Sequence, residues 1–446
     1  MLPVGTRPSP LWAKLLVTAF ILIVISLFVI SAPAAKPAAA QSAEPAAPAA
    51  PNWVVLAWND LGMHCYNRDF KDLAVLPPYN NLWAQVIKVG DPPQIETADV
   101  SVSYSFPDNT YSVGKSNFWD YDLALFGIQL APDTGLTGKG LAGQMDQKTD
   151  HFTAEGIPLT EFRDSAPTEP YPYQLATVIA RDSTNRNELA RTITVAPVST
   201  EMHCDYCHSD GQREHISTGK VETNILTLHD KENADEYPAG FGRLMDHRPV
   251  LCATCHASNA LGTTGKPGIP NLSKAMHSKH AGADDDGDAL AAAGNTATAQ
   301  NFCYNCHPGP ATQCLRDVMS SRGMTCTDCH GTMEQVAQNP TPWLKEPRCD
   351  GCHKDPLYAQ DQPLYRNSTG HGGVRCAGCH DSPHAIAESS QPNDATKFIG
   401  WQGHAGTLDT CTVCHATNPT EPGPHGLLSP DGVKARLYMP DMRSSR

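Results

Sequence analysis

Cys204-Asp205-Tyr206-Cys207-His208 spells Cys-x-x-Cys-His, and the spelling returns six more times, at Cys252 to His256, Cys303 to His307, Cys326 to His330, Cys349 to His353, Cys376 to His380 and Cys411 to His415. Two thiols three positions apart with an imidazole directly after the second form the attachment signature of a c-type haem. The spacing follows from the chemistry. Two thiols add to the two vinyl groups on one porphyrin edge, and the adjacent histidine reaches under the iron as proximal ligand. The attaching cysteines are then Cys204, Cys207, Cys252, Cys255, Cys303, Cys306, Cys326, Cys329, Cys349, Cys352, Cys376, Cys379, Cys411 and Cys414. The proximal ligands are His208, His256, His307, His330, His353, His380 and His415. Cysteine pairs of this spacing also build tetrahedral zinc sites or redox dithiols. In zinc sites the histidine would follow only sometimes, and a redox dithiol has no use for seven copies, so the expected cofactors are seven c-type haems, each carrying iron.

Composition sets the outer limits. The 446 residues leave room for two or three domains. Fourteen of the sixteen cysteines belong to the motifs, which leaves Cys65 and Cys314. A formal charge of −14 counts against nucleic acid as a partner, because that surface selects basic patches. With 37 prolines and 34 glycines, a large share of the backbone should be irregular.

Residues 1–31 read as a signal peptide or an N-terminal membrane anchor. Arg7 and Lys14 precede an apolar run from Leu15 to Ile30, and small residues follow through Ala40. Both outcomes place the rest of the chain on the periplasmic or extracellular side. Residues 32–51, rich in Ala and Pro, are expected to be a linker, and a tether to the inner membrane if the anchor stays.

Residues 52–200 carry no motif and have the texture of strands. Runs rich in β-branched and aromatic residues stand at Trp53 to Trp58, Trp83 to Val89, Val100 to Phe106, Leu175 to Arg181 and Ala190 to Val198, separated by Pro, Gly, Asp and Asn. The last two form a hairpin across Asp182 to Asn187. The expectation is an all-β, immunoglobulin-like sandwich with a long irregular insert from about Pro107 to Pro170. Within it, Trp58-Asn59-Asp60-Leu61-Gly62-Met63-His64-Cys65 leaves three readings open: a turn with a buried thiol, a Cys65 to Cys314 disulfide, or a haem ligand. His151 sits in a charged stretch and is expected to be solvated.

Residues 201–446 offer 246 residues to seven motifs, too few for a conventional side-chain core. A mostly irregular, short-helix domain folded around its cofactors is expected. Successive first cysteines are 48, 51, 23, 23, 27 and 35 residues apart, so the motifs from Cys303 to His380 must crowd together. The acidic stretch Asp284 to Asp288 lacks the alternation of a calcium loop and reads as solvated.

Of nineteen histidines, ten spare imidazoles lie among the motifs: His203, His215, His229, His247, His277, His280, His371, His384, His404 and His425. Distal ligands are sought at His229, His277, His280, His371, His384, His404 and His425. No spare histidine lies between His280 and His371, so the third, fourth and fifth irons must borrow from flanking segments, use Met319, Met324, Met333 or Cys314, or stay open. His203, beside Cys204, cannot easily fold over its own haem.

With these seven motifs, residues 201–446 resemble bacterial multihaem (heptahaem) c-type cytochromes. Cys379-His380-Asp381-Ser382-Pro383-His384 and Met276-His277-Ser278-Lys279-His280 are similar to segments that supply distal histidines in that family. The resemblance implies electron transfer through stacked haems, between a membrane quinol-linked donor and a periplasmic or extracellular acceptor, with no catalytic residue. The alternative is a reductase or oxidase of a small nitrogen or sulfur compound at one open haem. Against it, no motif ends in Lys, the substitution that resembles the catalytic haem of pentahaem nitrite reductases. A third reading makes the β-domain a docking module for a partner complex. Because the last strand ends beside Cys204, the first haem is expected at the domain junction, away from the dense cluster and a candidate port for electrons.

Overall fold

Trp53-Val54-Val55-Leu56-Ala57-Trp58 has no polar member because both of its faces are covered, as a continuous apolar run requires. In a computed structural model the chain is described over residues 52–281, 301–339, 341 and 345–426. The signal-or-anchor segment, the Ala/Pro linker and the Asp284 to Asp288 loop lie outside these residues. Among the described residues no helix is long and apolar enough to cross a membrane.

The run forms β1 (Trp53–Trp58). It is followed by β2 (His64–Cys65), β3 (Leu73–Ala74), β4 (Asn80–Lys88), β5 (Gln94–Glu96) and β6 (Val100–Ser105). After helix α1 (Phe118–Phe126) come β7 (Ala142–Gln144), β8 (Asp146–Gln147), β9 (Phe152–Ile157), β10 (Phe162–Arg163), β11 (Ala166–Pro170), β12 (Tyr173–Asp182) and β13 (Glu188–Ser199). One sheet runs β1-β4-β9-β8 with β5 also on β4, and the other runs β2-β13-β12-β6-β7. Their inner faces share a sandwich-like core. Val55 and Ala57 of β1 and Leu82, Ala84 and Val86 of β4 meet Val100, Val102 and Tyr104 of β6, Ala176, Val178 and Ala180 of β12, and Ala196 and Val198 of β13. The period-two burial of β6 shows the rule most simply. The β12 to β13 hairpin forms as its sequence predicts, and Asp182 Oδ1 accepts from the Thr184 and Asn185 amides at 2.8 and 3.0 Å to shape the turn.

The stretch from Pro107 to Pro170 is not irregular: it holds α1 and five strands, and β9 pairs directly with β4. Its sequence, Phe-Thr-Ala-Glu-Gly-Ile, hides this, since Ala, Glu and Gly are weak strand residues. Gly156 is needed for its backbone: its φ is +81°, and a Cβ there would run into Thr137.

From residue 201 onward the chain consists of short helices and turns, among them α2 (Val221–Asn233), α3 (Leu272–Ala281) and α4 (Thr396–Gln402). The described residues all fall in one compact unit, and the chain changes texture at 200/201. Several contacts cross that boundary, a shared core and ion pairs among them. β14 (Val250–Leu251) adds parallel to β3, pairing Val250 with Leu73. The outer face of the first sheet, Val54, Leu56, Trp58, Trp83 and Ile87, forms a second core with Ala377 of the sixth motif and Val413 of the seventh.

The first motif follows directly on β13, as expected, but does not stand away from the other motifs. The His203 amide donates to the Asn305 carbonyl at 2.9 Å. The Glu201 carboxylate accepts from the Gly309, Ala311 and Thr312 amides at 3.1, 3.0 and 2.8 Å. It therefore packs against the third motif, inside the cluster. The motifs on the sheet are the sixth and seventh.

Candidate metal centre

Six of the seven motif histidines face a second histidine across a nearly constant gap. Ring centres are 6.3 Å apart for His208 and His280, 6.3 Å for His256 and His229, and 6.1 Å for His307 and His277. They are 6.1 Å apart for His330 and His384, 5.8 Å for His380 and His425, and 5.9 Å for His415 and His371. The third and fourth motifs thus meet histidines from flanking segments, His277 from upstream and His384 from downstream. Helix α3 serves two motifs at once: His277 and His280, three residues apart on one side of the helix, face His307 and His208.

In most of these rings Nδ1 is tied down, which turns Nε2 outward. His229 Nδ1 meets the Tyr237 hydroxyl at 2.7 Å, His256 Nδ1 the Pro270 carbonyl at 2.8 Å, and His277 Nδ1 the Ser273 carbonyl at 2.7 Å. His280 is held by the Met276 carbonyl at 2.6 Å, His425 by the Leu357 carbonyl at 2.8 Å, His415 by Asp91 at 3.1 Å and His384 by the Cys314 thiol at 3.4 Å. Such outer partners set the tautomer and aim of a metal-binding imidazole. Burial, reinforced by the facing histidines, pushes His307, His330 and His380 each down to about 4. All three are neutral at neutral pH, with a lone pair to donate.

The fifth motif differs. The ring facing His353 is Tyr358, 6.0 Å away at 70°. All nineteen histidines lie among the described residues, and no second imidazole is paired with this one. The candidate His404 is on an exposed turn, with Nδ1 2.9 Å from the Ala405 carbonyl and Nε2 3.3 Å from Asp409, so both nitrogens are engaged. His203 stacks on Tyr206 at 4.5 Å, and His247 is bonded to the Phe241 carbonyl at 2.6 Å. His151 is buried rather than solvated: it stacks on Trp83 at 4.6 Å and meets Asp150 at 2.7 Å, beside Arg375.

The thiols trace a path. Cys252 feels the charge of Cys204, Cys306 that of Cys204 and Cys207, and Cys326 shares a hydrogen bond with Cys303. Cys329 feels Cys349 and Cys352, Cys376 feels Cys349, and Cys379 feels Cys414. Neighbouring motifs therefore follow one another as second, first, third, fourth, fifth, sixth and seventh. The ends of the run are the second and the seventh motifs, not the first.

The Trp58 to Cys65 stretch braces the fourth site. Asn59 Oδ1 accepts from the Gly62 amide at 2.6 Å, and its Nδ2 donates to the Asn81 carbonyl at 2.9 Å. Gly62, at φ +85°, lies so close to Pro383 that a Cβ would stand 2.9 Å from its carbonyl oxygen. His64 and Cys65, as β2, pair in parallel with Val198 and Ser199 of β13, and both Cys65 and Cys314 are free thiols. Burial lowers His64 to about 4, and its Nε2 has no partner. Two buried ion pairs lock the segment after His380: Lys397 to Asp381 at 2.6 Å and Arg316 to Asp394 at 2.7 Å. Tyr358 and Tyr237 reach their rings through local turns, whereas Cys314 meets His384 across 70 residues, a tertiary contact with no local signal in the sequence.

Among the described residues no three His, Cys, Asp or Glu side chains converge as a metal-binding group. Comparison with protein-family models, with curated proteins and with solved structures finds no match to this chain.

Proposed function

We propose that this chain is a heptahaem c-type cytochrome that relays single electrons, and the ring-to-ring gap at six motifs carries the reading. Two imidazole nitrogens on one metal at about 2.0–2.1 Å each, with about 1.1 Å more from nitrogen to ring centre on each side, put the ring centres about 6.2 Å apart. The six pairs stand at 5.8–6.3 Å. A closed zinc shell would instead gather four ligands at one point. The donors around the sixth and seventh motifs also fit a porphyrin. The Nε1 groups of Trp58, Trp83 and Trp401 and Nε of Arg375 are buried without acceptors, and haem propionates are acceptors.

The motif cysteines would hold each haem and the paired histidines would ligate its iron on both faces, except at the fifth motif. Bound there, haem supplies Fe(III)/Fe(II) cycling. The chain's own part is to orient the imidazoles through their Nδ1 partners and to space the motifs in one continuous run. We place the chain on the periplasmic or extracellular side, with a quinol-linked donor and an external acceptor as partners. We read the sandwich as immunoglobulin-like and as the support for the sixth and seventh haems.

Mass spectrometry of the mature protein should show seven covalently attached haems, and electron paramagnetic resonance should show mostly low-spin ferric iron. Stoichiometric zinc with free thiols would overturn the reading.

A further inference from the structure

We infer that the fifth haem, at Cys349, Cys352 and His353, is an open iron that binds a small exogenous ligand beside the Tyr358 hydroxyl. The inference rests on the seven-haem reading and assigns one site within it. His353 is the one motif histidine whose facing ring is not an imidazole. The local chain explains why. Asp355 accepts from the Leu357 amide at 3.0 Å and starts the turn Pro356–Tyr358, which folds Tyr358 back toward His353. The Leu357 carbonyl on the same turn takes His425 Nδ1 at 2.8 Å, so the nearby imidazole is fixed toward His380. One turn thereby supplies a sixth ligand to the neighbouring site and withholds one from its own.

The site is also reachable. Cys349, Cys352 and Leu357 are exposed. A phenol does not fill an iron's strong-field position as an imidazole does. Its hydroxyl can donate to a bound atom. The ligand class is a small molecule with a lone pair on carbon, nitrogen or oxygen, of two or three heavy atoms.

The probe is carbon monoxide, with infrared and spin-state readouts on the mature holoprotein. Expected are one high-spin ferric haem in seven and, after reduction, one carbon monoxide bound per seven haems. Tyr358→Phe, which removes only the hydroxyl, should keep that stoichiometry and move the C–O stretch to higher frequency. Seven haems that are all low-spin and bind no carbon monoxide would overturn the inference and leave the cytochrome reading standing. So would carbon monoxide binding whose stretch ignores Tyr358→Phe, since the open iron would then lie elsewhere. Fewer than seven haems by mass would count against the cytochrome reading itself.

Discussion

Replacing Asp394 with alanine strips the partner from a deeply enclosed cation. Arg316 and Asp394 side chains are 1% and 3% exposed, and the guanidinium meets the carboxylate twice, Nε to Oδ2 at 2.7 Å and Nη2 to Oδ1 at 3.1 Å. Ser389 Oγ donates a third bond to the same carboxylate at 2.6 Å. Asp394→Ala leaves the guanidinium buried with only the Cys314 carbonyl, at 3.2 Å, and the Tyr173 ring, 5.1 Å away. Breaking one side of a buried pair costs about 3–5 kcal/mol, roughly a hundred- to few-thousand-fold in the folding equilibrium. The double variant Arg316→Met, Asp394→Leu should regain most of that loss, because no charge is left stranded. The strand of chain around Arg316 also holds His384: its amide donates to the His384 carbonyl at 2.9 Å. The single variant should therefore broaden the low-spin signal of one haem and spare the others. Guanidinium unfolding followed by Soret absorbance and circular dichroism gives the first number, and paramagnetic resonance the second. A single variant within about 1 kcal/mol of the parent, the range of surface pairs, would refute the claim that this pair is desolvated and pins the fourth site.

Three further outcomes are expected. Leu56→Ala should cost about 2–5 kcal/mol and shift the sheet and Soret transitions together, because Leu56 is fully buried in the core shared with the sixth and seventh motifs; separate transitions would contradict a single cooperative body. Gly62→Ala should cost about 1–3 kcal/mol in a thermal melt, since it combines φ +85° with a Cβ 2.9 Å from the Pro383 carbonyl; a neutral result would mean the turn does not dock there. Burial works against ionisation of Asp164, yet hydrogen bonds from Lys115 and Thr110 outweigh it and hold the carboxyl below its usual range. That stability is present above the unfolded carboxyl pKa of about 3.9 and is lost as pH falls through the lower folded value. Lys115→Met should flatten the acid-side loss in melts below about pH 4, and an unchanged acid limb would count against the pair.

The sequence makes some of this legible and hides the rest for definite reasons. β1, β4, β6, β12 and β13 announce themselves because burial on one or two faces imposes period two or an unbroken apolar run. β9 does not, since its place beside β4 depends on Asn81 and on the backbone freedom of Gly156. The motif histidines are spelled out by the Cys-x-x-Cys-His pattern, which lies within five residues. Their facing partners are not: His208 meets a ring 72 positions away, and the pairing depends on where α3 lies. Distance along the chain favours His404 for the seventh motif, yet its ring is taken up by Ala405 and Asp409 while His371, 40 residues upstream of the motif's first cysteine, does the facing. The burial of His151 is equally invisible, because it comes from stacking on Trp83.

The helix that carries His277 and His280 also sets a timetable. Chains emerge from their N-terminus, and a site closes only when the later of its two histidines has appeared. The second motif already has His229 behind it and closes at His256. The first must wait for His280, and the third closes at His307 with His277 already made. The fourth stays half-dressed until His384, past the attachment sites of the fifth and sixth, and the sixth is the last to close, at His425. Pairing along the nascent chain thus begins at one end of the run of motifs, and a truncation just before His425 would spare every earlier pair while leaving His380 without its facing ring.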